Sequence, residues 1–246
     1  MIRCRISYQK IGPLRYISHL DLQKVWIRVL LRAKIPLIYT QGFHPAPKFA
    51  TAWPLPLGWE GRNELIDLWF DWEESIDTED KKKQFIETLN AQSPFGLCVN
   101  SVDEVPAYSP ALTKLIESAD YQIKTMGRFL AEDLNNKIHH LLSQTSVERI
   151  RREKRYNLRD LIESASVSEE TDDGPIILVR MVAKDSEMGR PDEFADALGL
   201  DSEYLSFCRD RFYLSIPEQN TKSVVNNSRS ASIVKWISRY PPEVEV

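Results

Sequence analysis

Two short segments concentrate side chains able to bind anions or move protons. In RYISHLD (15–21), Arg15 offers a guanidinium fork and His19 titrates near neutral pH, while Ser18 opens a helix whose first N–H groups are free. In TQGFHPAPKFA (40–50), Gly42 permits a backbone excursion, and two prolines stiffen the loop that carries Gln41, His44 and Lys48. Arg3, Arg5 and Lys10 add cations along the first strand. The expected anion or RNA surface is therefore Arg3, Arg5, Lys10, Arg15, His19, Gln41, His44 and Lys48. The same groups could serve a metal-independent endoribonuclease. His19 or His44 would be the general base, Lys48 or Arg15 would stabilise the pentavalent phosphate, and Tyr16 would orient one of them. Purely structural roles stay open: a cap at Ser18, and a loop covering a core that holds Phe43 and Trp53.

The charge distribution favours an anionic partner for the beginning of the chain. The 246 residues carry a net charge of −4, yet residues 1–48 hold nine Lys/Arg against one acid, a local +8. Residues 49–110 come to −8, 111–160 to +3 and 161–246 to −7. A field of this kind acts within about a Debye length, so distant acids do not cancel it. The acidic 49–110 stretch, with Glu73, Glu74 and Asp77, suits a basic protein partner instead. Trp53, Trp59 and Trp72 are the aromatics that a protein–protein scaffold could expose for docking.

The elements that must position these groups follow from periodicity. Ile2–Tyr8 alternates, with Ile2, Cys4, Ile6 and Tyr8 on one face and Arg3, Arg5 and Ser7 on the other, which is expected to be open. Ser18 with Asp21 reads as a capping box for a helix to about Lys34, with Leu22, Val25, Trp26, Val29 and Ala33 as its apolar stripe. A strand at 37–40, a Pro-rich connection at 41–61, a strand at 64–72, a helix at 78–90 and a strand at 97–102 complete βαββαβ. A weaker copy follows: strands at 119–126, 147–152, 157–162, 176–183 and 205–216, with helices at 129–143 and 191–198. The expected fold is α+β, two tandem ferredoxin-like domains at 1–105 and 106–216, with a C-terminal tail at 217–246. Linker composition marks 102–110 and the acidic 168–174 loop.

Other chemistries find little support. Cys4, Cys98 and Cys208 lie far apart, and the adjacent His139 and His140 point about 100° apart on a helix, so neither set makes a metal site. The run Arg149, Arg151, Arg152, Lys154, Arg155 and Arg159 is diluted by Glu148, Glu153 and Asp160 and reads as a solvated face. No cofactor motif is present, and no uncharged apolar run approaches the roughly 18 residues of a membrane span. With a charged N-terminus and free thiols, a cytoplasmic protein without membrane attachment is expected.

The strings RISYQKIGPLRYISHLDL, LLRAKIPLIYTQGFHPAPKFATAWPLPLG and NELIDLWF resemble the radical-SAM-linked protein family. The likeness is weaker in NLRDLI, GRPDEFADALG and CRDRFYL. That family is a bacterial domain of unknown function, found alone or fused behind a cobalamin-binding radical SAM enzyme. The resemblance implies a separate radical SAM enzyme as partner, since CxxxCxxC is absent here, and neighbours in RNA processing and ribosome biogenesis. The first half is also similar in topology to CRISPR repeat-RNA endoribonucleases, a likeness of fold alone. The leading expectation is a non-catalytic, RNA-binding or substrate-presenting accessory protein of that enzyme.

Overall fold

The computed structural model describes residues 1–127, 129–168, 174–184 and 188–215. The 217–246 tail and most of the acidic 168–174 loop lie outside the described residues. The chain runs β1 (Ile2–Lys10), α1 (His19–Arg32), β2 (Phe49–Thr51), β3 (Glu60–Phe70), α2 (Glu79–Asn90), β4 (Leu97–Val105), α3 (Leu112–Leu115) and β5 (Ile116–Lys124). It continues through α4 (Ala131–Ser143), β6 (Glu148–Arg151), β7 (Lys154–Asn157), β8 (Ile162–Val167), β9 (Ile176–Val182), α5 (Pro191–Ala197) and β10 (Ser206–Leu214). Eight strands form one mixed sheet in the order β4-β1-β3-β10-β5-β9-β8, with β2 also on β3, so the fold is α+β. Strands β6 and β7 form a separate ribbon. Every neighbouring pair in the sheet is antiparallel except β3 and β10, which run parallel through Glu60 and Gly61 opposite Cys208 and Arg209.

The first helix forms where capping and periodicity agree. Ser18 Oγ accepts from Asp21 N–H at 3.1 Å and donates to the Asp21 carboxylate at 2.8 Å. Leu22, Trp26, Val29 and Leu30 are its buried stripe. The helix ends at Arg32, and Lys34 takes a left-handed φ of 54° two residues before Pro36. Thr78 caps α2 in the same manner. Together these helices cover Ile2, Cys4, Ile6 and Tyr8 of β1 and Ile66, Leu68 and Phe70 of β3. Each such aliphatic side chain contributes about 1.5–3 kcal/mol on burial.

A second core lies under α4 and α5, where Leu134, Ile138, Leu141 and Phe194 meet Ala119, Tyr121, Ile123, Val179 and Met181. Aromatic residues pack along its border with the first half. Trp59 stacks on Phe207 at 4.8 Å and stands edge-on to Tyr121 at 6.2 Å, while Trp53 Nε1 donates to the Ala183 carbonyl at 2.9 Å. Trp72 packs on Phe70 and Phe85. The three tryptophans expected to be exposed docking aromatics are thus packing residues, because aromatic area is worth most between the layers.

The second strand is also corrected. Leu37 and Tyr39 make only isolated bridges, to Phe70 and Pro47, and the strand proper is Phe49–Thr51. Thr40 N–H donates to the Ala46 carbonyl at 2.8 Å and Lys48 N–H to the Ile38 carbonyl at 2.6 Å, so the loop doubles back and delivers 49–51 to β3. In the second half the strand expected at 157–162 lies later, at Ile162–Val167, because 148–157 is consumed by the β6–β7 ribbon.

Candidate functional site

β1 alternates as expected, but its second face is not open. Arg3 Nη2 and Arg5 Nε reach the Asp67 carboxylate at 2.6 and 2.8 Å, and all three side chains are at most 5% exposed. The segment leaving β4 covers them, and Arg3 also donates to the carbonyls of Ser109 (2.5 Å) and Pro110 (2.9 Å). Arg3 lies over the Trp69 ring at 4.9 Å. The expectation that Arg3 and Arg5 track phosphate on an open sheet is overturned. The cause is Asp67, an acid on the neighbouring strand that strand periodicity assigns a face but no partner.

On the helix side, Lys10 and His19 do come together. They line a narrow crevice with Tyr8, Leu22, Glu64, Leu65 and the 51–55 segment. Lys10 is buried and its Nζ donates to the Ile17 carbonyl at 3.4 Å. Burial holds its pKa below the ordinary value, against the opposing pull of Glu64. Burial, and next the Lys10 charge, lowers His19 as well, favouring neutral imidazole. One His19 ring nitrogen lies 2.9 Å from the Gln23 amide. Glu64 is committed elsewhere: Arg209 of β10 donates to both of its oxygens at 2.8 and 2.6 Å. Burial opposes the Arg209 charge, yet the carboxylate raises its pKa, so the pair is a charged clamp between β3 and β10.

The remaining expected residues are dispersed. Arg15 lies 3.8 Å from Glu60, donates to the Tyr16 hydroxyl at 2.5 Å and stacks on that ring, with Tyr16 exposed. Gln41, Phe43, His44 and Lys48 are exposed in the loop, and Phe43 is wholly in solvent. Lys48 Nζ sits 4.8 Å from the Trp69 ring centre. Trp69 and Asp67 share one face of β3, whereas Glu64 and the crevice lie on the other. His19 and Lys48 are therefore on opposite sides of the sheet, and the constellation an endoribonuclease would draw from them is not assembled. Phe43, which a loop covering the core would have buried, stands wholly in solvent.

A second carboxylate between two arginines lies in the other half, on the sheet face away from α4 and α5. Arg180 Nε donates to Asp120 at 2.8 Å, Arg211 Nε lies 3.8 Å from the same carboxylate, and the Tyr213 hydroxyl donates to it at 2.7 Å. The Arg180 guanidinium lies over the Tyr213 ring at 4.1 Å. Burial and the Asp120 carboxylate push the Tyr213 phenol up to about 12, so it stays protonated as a donor. These ionic side chains are a quarter to a third exposed. Sequence reasoning passed over them because Asp120, Arg180, Arg211 and Tyr213 are scattered over three strands. Alternation of β5 and β9 was the available signal.

The basic run forms the β6–β7 ribbon, whose turn holds Arg152 and Glu153 at left-handed φ of 49° and 66°. Arg151 is bound by Glu193 and Arg149 lies 3.3 Å from Asp196, leaving Arg152, Lys154 and Arg155 exposed. His139 and His140 are exposed, and no metal-binding group of His, Cys, Asp or Glu occurs among the described residues. No described helix is long and apolar enough to cross a membrane.

No curated protein matches the chain. Residues 3–191 match a family described as "Uncharacterized protein conserved in bacteria (DUF2344)", a span that runs from β1 into α5 and so takes in both halves. With its motif-rich beginning and its second set of strands inside one match, the chain belongs to the DUF2344 family.

Proposed function

We propose that this chain is a non-catalytic, RNA-binding or substrate-presenting accessory protein, built from two tandem ferredoxin-like units, that works beside a separate radical SAM enzyme. The strand orders β4-β1-β3-β2 and β10-β5-β9-β8, the first threaded βαββαβ and the second likewise once the inserted β6–β7 ribbon is set aside, support the two-unit reading. The observation that carries RNA binding is the 40–48 loop. Phe43 stands wholly in solvent beside exposed His44, with Lys48 on Trp69 at its base. An aromatic ring held in water contributes nothing to the core, but it is a stacking platform for an unpaired base, and the nearby Lys48 suits phosphate. The separation of His19 from Lys48 favours binding over cleavage.

For the partner, the acidic stretch has a fitting shape. Glu74, paired with Lys81 at 3.0 Å, borders a groove lined by Ile35, Trp72, Ile76 and Phe85, with exposed Glu73 and with Asp77, paired with Lys82 at 2.9 Å, beside it. A basic protein segment would meet apolar contact and complementary charge there. The test is fluorescence anisotropy with a single-stranded RNA across a salt series. Binding that weakens with a log–log slope of about 0.7 per phosphate neutralised is expected, and Phe43→Ala should weaken it at least fivefold. No binding at low salt overturns the reading. Charge reversal at Glu73, Glu74 and Asp77 should weaken recovery of a radical SAM enzyme in a low-salt pull-down while sparing RNA affinity.

A further inference from the structure

We infer that the sheet face of the second half, centred on Arg180, Asp120, Arg211 and Tyr213, is the main seat for unpaired RNA. The inference rests on the RNA-binding reading and names where on the chain most of the binding occurs. The face is displayed by β10, β5, β9 and β8 in hydrogen-bonded order. Its central row is Arg211, Asp120, Arg180 and Ser164, cross-strand neighbours by register. The next row places Gln122 beside Leu178 and Ser166, and Lys124 follows opposite Ile176. Ser164, Ser166 and Leu178 are exposed, and among the described residues no segment crosses this face as 106–115 crosses the other half.

The chemistry fits unpaired bases better than a bare phosphate track. Cations Arg62, Lys124, Arg180 and Arg211 stand against Asp120, Asp210 and Glu163, a surplus of one, so charge alone does not define the ligand. What the face offers is a Tyr213–Arg180 stack to receive a base, held in place by Asp120, which accepts from both, and Gln122 in the next row to meet an amino or carbonyl edge. Lys124 has no ion pair among the described residues. Lys48 on Trp69 lies on the same side of the continuous sheet.

The experiment uses the full chain and a fluorescent 20-nucleotide single-stranded RNA. Arg180→Gln with Arg211→Gln should weaken binding at least tenfold and Tyr213→Leu about fivefold, whereas Arg155→Gln on the ribbon should leave it within twofold. On the unaltered protein, saturating RNA should protect Lys124 from amine-reactive labelling, a readout that no misfolded variant can confound. Wild-type affinity in the face variants, or unprotected Lys124, overturns the inference, while loss of affinity in Phe43→Ala still upholds the RNA-binding reading. Failure of the unaltered protein to bind removes both readings together.

Discussion

The sheet uses one arrangement, a carboxylate between two arginines, in two ways. In the first half Asp67 holds Arg3 and Arg5 under a covering segment, with side-chain exposures of 0–5%. In the second half Asp120 sits between Arg180 and Arg211 at 24–30% exposure. Similar chemistry has different consequences because water is excluded from one site and retained at the other. At the enclosed site one carboxylate accepts from two desolvated guanidinium groups, so removing it strips both of a buried charged acceptor. At the open site solvent takes over much of that role, and the groups stay available to a ligand.

The difference is testable by removing each carboxylate. Asp67→Ala should cost about 3–5 kcal/mol of unfolding free energy in a urea titration, and Asp120→Ala no more than about 1 kcal/mol. Equal costs would break the comparison. Glu64→Gln, which leaves Arg209 one neutral acceptor, should fall between them at about 1.5–3 kcal/mol by the same measurement, since this clamp is as buried as Asp67 but strips one arginine. Salt sharpens the contrast further. At 1 M NaCl, where screening acts over about 3 Å, the cost of Asp120→Ala should vanish and that of Asp67→Ala should persist.

The smallest effect concerns pH at the crevice. His19 has a folded pKa below its unfolded value, chiefly through burial and then through Lys10, so the folded state takes up a proton less readily. Its stabilising contribution is complete above about pH 6.5 and is lost as pH falls through the lower folded pKa. His19→Gln should therefore flatten the acid side of a melting-temperature profile measured from pH 8 to pH 5. An unchanged slope would place His19 in contact with water rather than with Lys10.

Much of the architecture was legible in local pattern. The Ser18 and Thr78 caps, the stripes of α1 and α4, and the alternation of β1, β5 and β9 are encoded within a few residues of one another. They led directly to α+β. Less was legible at the turns: Pro45 and Pro47 look like the middle of a connection, yet they fold the loop back and place Phe49–Thr51 on β3. Of the expected site, only Lys10 and His19 share one crevice, while Lys48 stands across the sheet and Arg3 and Arg5 are enclosed.

By itself the sequence determined most of the strands and helices, those at Phe49–Thr51 and Ile162–Val167 excepted, and which of two faces a strand residue occupies, because those properties depend on spacing of 2.0 or 3.6. Only the tertiary structure decided which face was covered. Arg3 and Arg180 look alike in sequence, cations at alternating positions of a strand, and their fates diverge through partners 64 and 60 residues away, Asp67 and Asp120, and through the 106–115 segment that crosses one half. Exposure is a property of what packs against a surface, and pairing over such separations is fixed by strand register and chain path, which no local window contains.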